Sequence, residues 1–436
     1  MNLELLYQLF LQSTGVSTDT RKIDAGNLFF ALKGPNFNAN DFAAKALEMG
    51  ASAVVIDEEK YLVEGDERYF FCEDVLTALQ KLATHHRRQF DIPFIGLTGS
   101  NGKTTSKELL HAVLKQKFNT LATIGNLNNH IGVPLTLLSL RPYHQYAVIE
   151  MGTNHPGEMS VLCELINTEF GVITNIGKEH LEGFGSIEAI AKEESEVFAS
   201  VIKHAGHGIV NIDDAWLQSM SKRLTQQSTI SLSNPQANYY AEVQHEMPEL
   251  GFSFYFNGEN MGAFTSPLSG KYNAYNLLFG AAIAHLLGMN PAEAMERACT
   301  YKPSNNRSEW RTFGHTQVFL DAYNANPSSM SVAIESFATI DGRKSFFLGD
   351  MLELGDHSQS EHKQIFDLCC SLGIEETTYL VGPEFCEACP QHPYRFETMD
   401  ALLAWLDTHP IETSFAFVKG SRGIKMERVI EHFLPA

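Results

Sequence analysis

The sequence predicts an α/β fold in three domains: a small mixed α/β N-terminal domain, a central P-loop parallel-sheet domain with an antiparallel insert, and a C-terminal Rossmann-like domain. Three observations predict it. Apolar runs of strand length alternate with helical stretches through the middle and last thirds of the chain, the pattern of right-handed crossovers in a parallel sheet covered on both faces. One such run, Phe94-Ile95-Gly96-Leu97, leads through a glycine-rich turn into a helix beginning near Lys103. The 436 residues suit two to four domains at ~100–200 residues each.

In chain order, 27–32 reads as a strand, 41–49 as a helix and Ala53-Val54-Val55-Ile56 as a second strand, each from its apolar period. An amphipathic helix over 75–89, followed by Pro93, ends the first domain at residue 88. In the second domain, 89–302, the strands Tyr146-Ala147-Val148-Ile149-Glu150 and Phe170-Gly171-Val172-Ile173-Thr174 each precede helical sequence. Between Tyr239 and Phe264 short runs of period two replace that alternation, as an antiparallel insert would require, and 273–287 reads as a buried helix. The third domain, 303–436, offers four strands with helices between them: 318–320, 345–348, 378–381 and 415–418. That is a second, smaller doubly wound unit. There is no internal repeat or low-complexity tract.

Composition narrows the partners. The formal charge of −20 repels nucleic acid and anionic lipid, so an anionic substrate must be met by local cations or metal ions. No basic stretch precedes the first apolar residues, and the run 277–289 contains His285 and falls short of the ~20 residues that span a bilayer. A cytoplasmic protein is expected, working as a monomer. Seven cysteines, an odd number, suit free thiols in a reducing compartment. Cys386-Glu387-Ala388-Cys389 has metal-site spacing, with Cys369, Cys370 and His392 nearby. Tetrahedral ligation wants a second well-spaced pair, so incidental thiols are the simpler expectation.

The central chemical signal is Gly96-Leu97-Thr98-Gly99-Ser100-Asn101-Gly102-Lys103-Thr104-Thr105. Between a strand and a helix, such a loop points backbone N–H groups at phosphate oxygens while its lysine neutralises charge. Thr104 is placed to offer its hydroxyl to Mg²⁺. Leu97 stands where the strict P-loop pattern has its first glycine. The bland alternative is a glycine-rich turn without a ligand. The expectation is that Gly99, Ser100, Asn101, Gly102, Lys103, Thr104 and Thr105 bind ATP.

The form Thr98-Gly99-Ser100-Asn101-Gly102-Lys103-Thr104-Thr105 resembles the Mur ligase superfamily more than kinases, GTPases or motor ATPases, and the resemblance extends along nearly the whole chain. It includes Asp19-Thr20-Arg21 with 26–34, Asn126-Leu127-Asn128-Asn129 with 132–138, Ile149-Glu150-Met151-Gly152, and Asn175 to Ser186. Three later stretches, 321–330, 348–355 and Val418-Lys419-Gly420-Ser421-Arg422, resemble the branch of the superfamily that adds D-alanyl-D-alanine. The resemblance implies an ATP- and Mg²⁺-dependent ligase joining that dipeptide to UDP-N-acetylmuramoyl-tripeptide through an acyl phosphate, in peptidoglycan precursor synthesis. In such phosphoryl transfers the protein chiefly positions reactants and stabilises charge.

The same resemblance implies the site residues. Lys103 would hold the β- and γ-phosphates, and Thr104, Glu150, His180 and Glu194 the metal ions. Glu150, at the carboxyl end of a parallel strand, lies where ligands bind in open α/β sheets and is a hard oxygen donor. Arg307, Asp321 and Asn324 would meet phosphate and ribose, and Asn273 and Asn276 the adenine side. Arg21, Lys33 and Gly34 would take the UDP moiety, while Asn128 and Asn129 face the tripeptide. Ser421 and Arg422 would receive the dipeptide carboxylate, for which arginine is suited. Simpler roles exist for several of them: a solvated strand-end carboxylate for Glu150, an ordinary hydrogen-bonded histidine for His180, a strand-end cap for Ser421.

Two departures from the family pattern stand out. Asn38-Ala39-Asn40-Asp41-Phe42 lacks the aspartate and histidine common there. Counting from His180, the place of a lysine that most members carbamylate with CO₂ falls on Glu194. Glutamate supplies a permanent carboxylate of similar shape. Lys192 faces away at roughly 200° around the helix, and Glu193, roughly 100° away, is expected to be indifferent. The alternative is that Glu193, Glu194 and Glu196 form a solvated acidic face. Two rival functions remain: another amide ligase of the superfamily (diamino-acid-adding or folylpolyglutamate-forming), and a P-loop switch or motor ATPase needing no amine acceptor.

Overall fold

The computed structural model describes residues 2–303 and 306–433. Near the N-terminus four short parallel strands, Val16–Ser17, Leu28–Phe30, Ala53–Ile56 and Tyr69–Phe71, pair in chain order. Their side chains alternate between two cores, as the pleat dictates. Phe29, Val54 and Ile56 pack with Ala43 and Ala46 of the helix Ala43–Glu48. Leu28, Phe30 and Val55 pack with Leu6, Phe10, Leu79 and Leu82 from the helices Leu3–Gln12 and Val75–Arg87. That second core runs on without a break into Leu137, Leu162, Ile166 and Val197. Arg87 reinforces the junction, donating to the Ile166 carbonyl at 2.8 Å and pairing with Glu169 at 3.0 Å.

The central sheet has nine strands. Seven are parallel, in the order Tyr239–His245, Gln227–Ser231, His207–Asn211, Phe170–Ile173, Phe94–Thr98, Tyr146–Glu150 and Thr120–Ala122. Leu250–Phe256 and Glu259–Ser266 continue the sheet antiparallel beyond Tyr239–His245. The expected antiparallel insert is thus present, added to the edge of the same sheet. Its period-two face, Tyr239, Ala241, Phe252 and Phe254, joins the core of the helix Tyr272–Leu286. That helix packs on Lys103–Leu114, and Gly280 makes room for Leu109, which a β-carbon there would meet at 2.2 Å.

The last sheet has six strands. The four expected strands are present as Thr316–Asp321, Phe415–Lys419, Lys344–Gly349 and Thr378–Val381, mutually parallel in that order. Glu309–Phe313 adds an antiparallel edge and Arg395–Phe396 a short parallel one; neither shows in the alternation of the sequence. Leu181, Phe184 and Ile190, from the chain between central strands, bury themselves in this last core beside Met351 and Leu354.

Candidate active site

The glycine-rich loop turns between Phe94–Thr98 and Lys103–Leu114. Gly99 and Gly102 have φ of +119° and +83°, and a β-carbon would meet Thr174 Oγ1 at 2.3 Å and Asn276 Oδ1 at 2.6 Å. Only glycine fits either position without strain. The loop is held from behind: Ser100 Oγ accepts from Gly177 N at 2.8 Å, and Asn175 Nδ2 donates to the Asn101 carbonyl at 2.8 Å. Asn276 Oδ1 accepts from Ser106 Oγ at 2.9 Å, and its amide donates to Asn273 Oδ1 at 2.7 Å. Asn273 and Asn276 are both buried. They brace the first turn of the helix that follows the loop.

Charges converge at the loop. Lys103 Nζ donates to Glu179 Oε2 at 3.1 Å. Burial pulls the Lys103 pKa down, but the carboxylates of Glu179, Glu194 and Glu150 outweigh it and hold the ammonium charged. Thr104 Oγ1 and Asn128 Nδ2 both donate to Glu150 Oε1, at 3.0 and 2.9 Å. Below them Lys107, fully buried, brings its Nζ to 4.0 Å from Glu150 Oε2. Glu194 is 3% exposed, and burial raises its pKa, with Lys103 pulling the other way. The second oxygens of Glu150 and Glu194 are buried without a hydrogen bond. Buried polar atoms normally have partners, and each of these carboxylate oxygens is a hard donor of the kind a divalent cation takes, although among the described residues no three His, Cys, Asp or Glu side chains are gathered as a finished metal site.

Glu193 and Glu194 are both buried, which overturns the solvated acidic face for these two residues. Glu193 is not indifferent: it accepts from Gly157 N at 2.8 Å and Met159 N at 2.6 Å, closing the amino end of the helix Glu158–Ile166. Lys192 is exposed.

The C-terminal unit closes over this cluster. Asn326 Nδ2 donates to Asn101 Oδ1 at 2.8 Å, Lys178 N donates to Ser328 Oγ at 3.0 Å, and Lys178 pairs with Glu361 at 2.5 Å. His180 Nδ1 lies 2.5 Å from Glu353 Oε2, its Nε2 3.7 Å from Glu179. A cleft of about 340 Å³ between the two units is lined by Thr104, Glu108 and Asn126 on one side and Arg307, Tyr323 and Arg422 on the other. The Arg307 guanidinium stacks on the Tyr323 ring at 3.5 Å, and Arg422 stands 5.2 Å from the same ring. Asp321 binds Lys419 Nζ and accepts from Ser308 N at 3.1 Å. Asn324 Oδ1 folds back onto Ala325 N at 2.9 Å.

Other expected residues are engaged elsewhere. Asn129 Oδ1 accepts from Ile131 N and Gly132 N at 3.1 and 2.9 Å, so it caps a helix start. Ser421 is buried, accepting from Leu352 N at 3.0 Å; its hydroxyl ties two loops together, as a cap would. Arg21 is bound to Asp19 through two hydrogen bonds at 2.9 and 2.8 Å. Lys33 sits on the hairpin Lys33–Gly34 with Phe37–Asn38, 3.0 Å from Asp57. The departure at 38–42 is filled by amides: Asn40, buried, exchanges hydrogen bonds with Asp57 at 2.9 and 3.1 Å. Glu179, Glu353, Tyr323 and Lys419 join the site beyond the residues expected from sequence, although each lies inside one of the family motifs, 175–186, 348–355, 321–330 and 418–422. Lys107 carried only the signal of standing one helical turn after Lys103.

Comparison with known proteins agrees with this architecture. Three family models match consecutive parts of the chain: "Mur ligase family, catalytic domain" over residues 12–87, "Mur ligase middle domain" over 97–284 and "Mur ligase, glutamate ligase domain" over 306–421. The UDP-N-acetylmuramoyl-tripeptide–D-alanyl-D-alanine ligase of Bacillus subtilis (strain 168) is 34% identical over 432 residues, covering 96% of this chain and 93% of that protein. The Escherichia coli (strain K12) protein of the same name is 34% identical over 425 residues, covering 95% and 92%. A crystal structure of MurF from Acinetobacter baumannii superposes with a TM-score of 0.87 at 28% identity, covering 99% of this chain and 98% of that one. MurF ligase from Thermotoga maritima in complex with ADP gives 0.85 at 25% identity, covering 97% of each. With both its sequence and its architecture matched over nearly the whole length, the chain belongs to the Mur ligase family.

Proposed function

We propose that the chain is an ATP-dependent amide ligase that joins D-alanyl-D-alanine to UDP-N-acetylmuramoyl-tripeptide in peptidoglycan precursor synthesis. The observation that carries this is the cleft in which Thr104 of the P-loop faces Arg307, Tyr323 and Arg422 of the C-terminal unit. A switch or motor ATPase has no need of that second wall. The relatives named for this same ligation match along nearly the full chain, which favours it over the other amide ligases of the superfamily.

Chemically, a carboxylate is a poor electrophile, so the tripeptide's terminal carboxylate attacks the γ-phosphorus of ATP. ADP leaves, and an acyl phosphate forms. The dipeptide amine then attacks the acyl carbon, phosphate leaves, and the amine's proton is lost. The loop N–H groups and Lys103 bind and orient the phosphates. Asn273 and Asn276 hold the start of the helix behind the loop, and Asp321 and Asn324 would meet the ribose beside Arg307. Arg422, exposed at the cleft, would take the dipeptide carboxylate, with Ser421 fixing its loop. Arg21, Lys33 and Gly34 take the UDP end, and Asn128 reaches from the substrate side to Glu150. Thr104, Glu150, His180 and Glu194 would hold Mg²⁺. Such an ion, when bound, neutralises phosphate charge in the transfer. Closure of the two walls excludes water from the acyl phosphate.

Among the described residues no helix is long and apolar enough to cross a membrane, and a monomer working in the cytoplasm completes the proposal. The test is Lys103→Gln, which keeps a hydrogen-bond donor for Glu179 and removes the charge. Formation of the joined UDP-muramoyl pentapeptide, read by mass spectrometry, should fall to background with an unchanged circular dichroism spectrum. Wild-type ATP hydrolysis that proceeds equally fast without the dipeptide would make the chain an ATPase instead.

A further inference from the structure

We propose that Glu353, from the C-terminal unit, is a positioning residue that fixes the tautomer and ring orientation of His180 across the domain interface. The inference rests on the metal-side role of His180 proposed above. Its Nδ1 lies 2.5 Å from Glu353 Oε2, while Nε2 points toward Glu179, the partner of Lys103. A carboxylate at Nδ1 keeps the proton there and leaves the Nε2 lone pair free for a cation. Orienting partners of this kind are common behind ligating histidines.

The backbone supports the contact. His180 and Glu353 have φ of +47° and +64°, a left-handed conformation that few non-glycine residues adopt. Residues are kept so only when their surroundings over-determine them. Here Glu182 N donates to the Glu353 carbonyl at 3.1 Å. Leu181 and Phe184, on the turn that His180 opens, are buried in the core of the C-terminal unit beside Met351 and Leu354, which flank Glu353. The segment carrying His180 thus belongs by chain to the central unit and by packing to the last one. His180 is correctly aimed only while the C-terminal unit is docked, so docking and completion of the cation site are one event.

The test uses full-length protein with ¹⁵N-labelled histidine, the His180 resonances being assigned by their loss in His180→Asn. In the wild type the ring shifts should report a proton on Nδ1. Glu353→Ala should mix the tautomers and weaken Mn²⁺ binding, measured by electron paramagnetic resonance with a non-hydrolysable ATP analogue, by about 10- to 100-fold. Glu353→Gln keeps an acceptor oxygen and should recover most of both. Glu412→Ala, which removes an exposed partner of Arg343 in the same unit, should change neither. A wild-type proton on Nε2, or a Glu353→Ala protein with unchanged ring shifts, overturns the inference. Altered tautomers with unchanged Mn²⁺ affinity overturn it too, by removing the metal-side role of His180 while leaving ATP-dependent ligation standing.

Discussion

Glu193 and Glu194 adjoin in sequence and are both buried, yet one helical step of roughly 100° sends them to different partners. Glu193 is spent on two backbone N–H groups, at 2.8 and 2.6 Å. Glu194 keeps an oxygen with no partner in the Lys103 cluster. Glu194→Gln should therefore cut turnover by about 100- to 1,000-fold, the usual result of losing one electrostatic contact to a transition state. Wild-type activity should be the same in bicarbonate-depleted and bicarbonate-supplemented buffer. Stimulation by bicarbonate would mean that a carbamylated lysine, and not Glu194, completes the site. Glu193→Gln should act on stability, lowering the denaturation free energy by about 1–3 kcal/mol while the folded fraction keeps its turnover; an unchanged denaturant midpoint would contradict this. Sequence set the two residues apart by angle but could not show what Glu193 meets. Spacing gives the angle between side chains, and only the fold shows that the amino end of Glu158–Ile166 lies opposite one of them. Asn129, Asn276 and Ser421 teach the same lesson: a polar residue in a motif was recognisable, but whether it meets substrate or main chain depends on neighbours distant in sequence.

At the scale of elements, the loop and the alternation were legible because they are local. Gly99 and Gly102 mark positions of positive φ, and apolar runs of strand length mark the parallel strands; the strand Tyr146–Glu150 and the start of the helix at Lys103 emerge where expected. The antiparallel insert was legible from its period two, whereas the sheet edge it joins was not, because pairing is not written in either strand alone. Glu309–Phe313 is not evident in the sequence because its half-buried, mixed polar and apolar pattern resembles a loop until Thr316–Asp321 is seen to pair with it. The tightness of the loop is itself testable. Gly102→Ala places a β-carbon 2.6 Å from Asn276 Oδ1 at φ +83°. It should raise the KM for ATP at least roughly tenfold, the equivalent of ~1.4 kcal/mol, and also lower the melting temperature of the ligand-free protein, since a β-carbon at positive φ is strained in the folded state. An unchanged KM would mean the loop is looser than the structure shows.

For the whole molecule, ATP residues divided between two units form one site only while the units are docked, and nucleotide and substrate should tighten that docking. Small-angle scattering should give a smaller radius of gyration with an ATP analogue and the tripeptide substrate than without them; an unchanged radius would count against closure. The thiols report on the fold independently. Burial pushes Cys72 and Cys389 up to about 11 and Cys299 and Cys369 up to about 12, and raises Cys163 as well. Cys370 is exposed and Cys386 half-buried. Since the thiolate is the nucleophile, iodoacetamide at neutral pH should modify Cys370 and Cys386 in the native protein well before the other five. Rapid labelling of Cys72 or Cys369 by peptide mapping would contradict the packing described.

The central claim, that ATP is spent to join a dipeptide to a UDP-linked tripeptide, has one direct measurement. Phosphate release is followed with ATP, UDP-N-acetylmuramoyl-tripeptide and D-alanyl-D-alanine together, and with each omitted in turn. Release should be rapid only in the complete mixture and slow whenever any one reactant is missing, with one joined product formed per phosphate. Rapid release without the dipeptide, or a faster reaction with a single free amino acid in its place, would contradict the account.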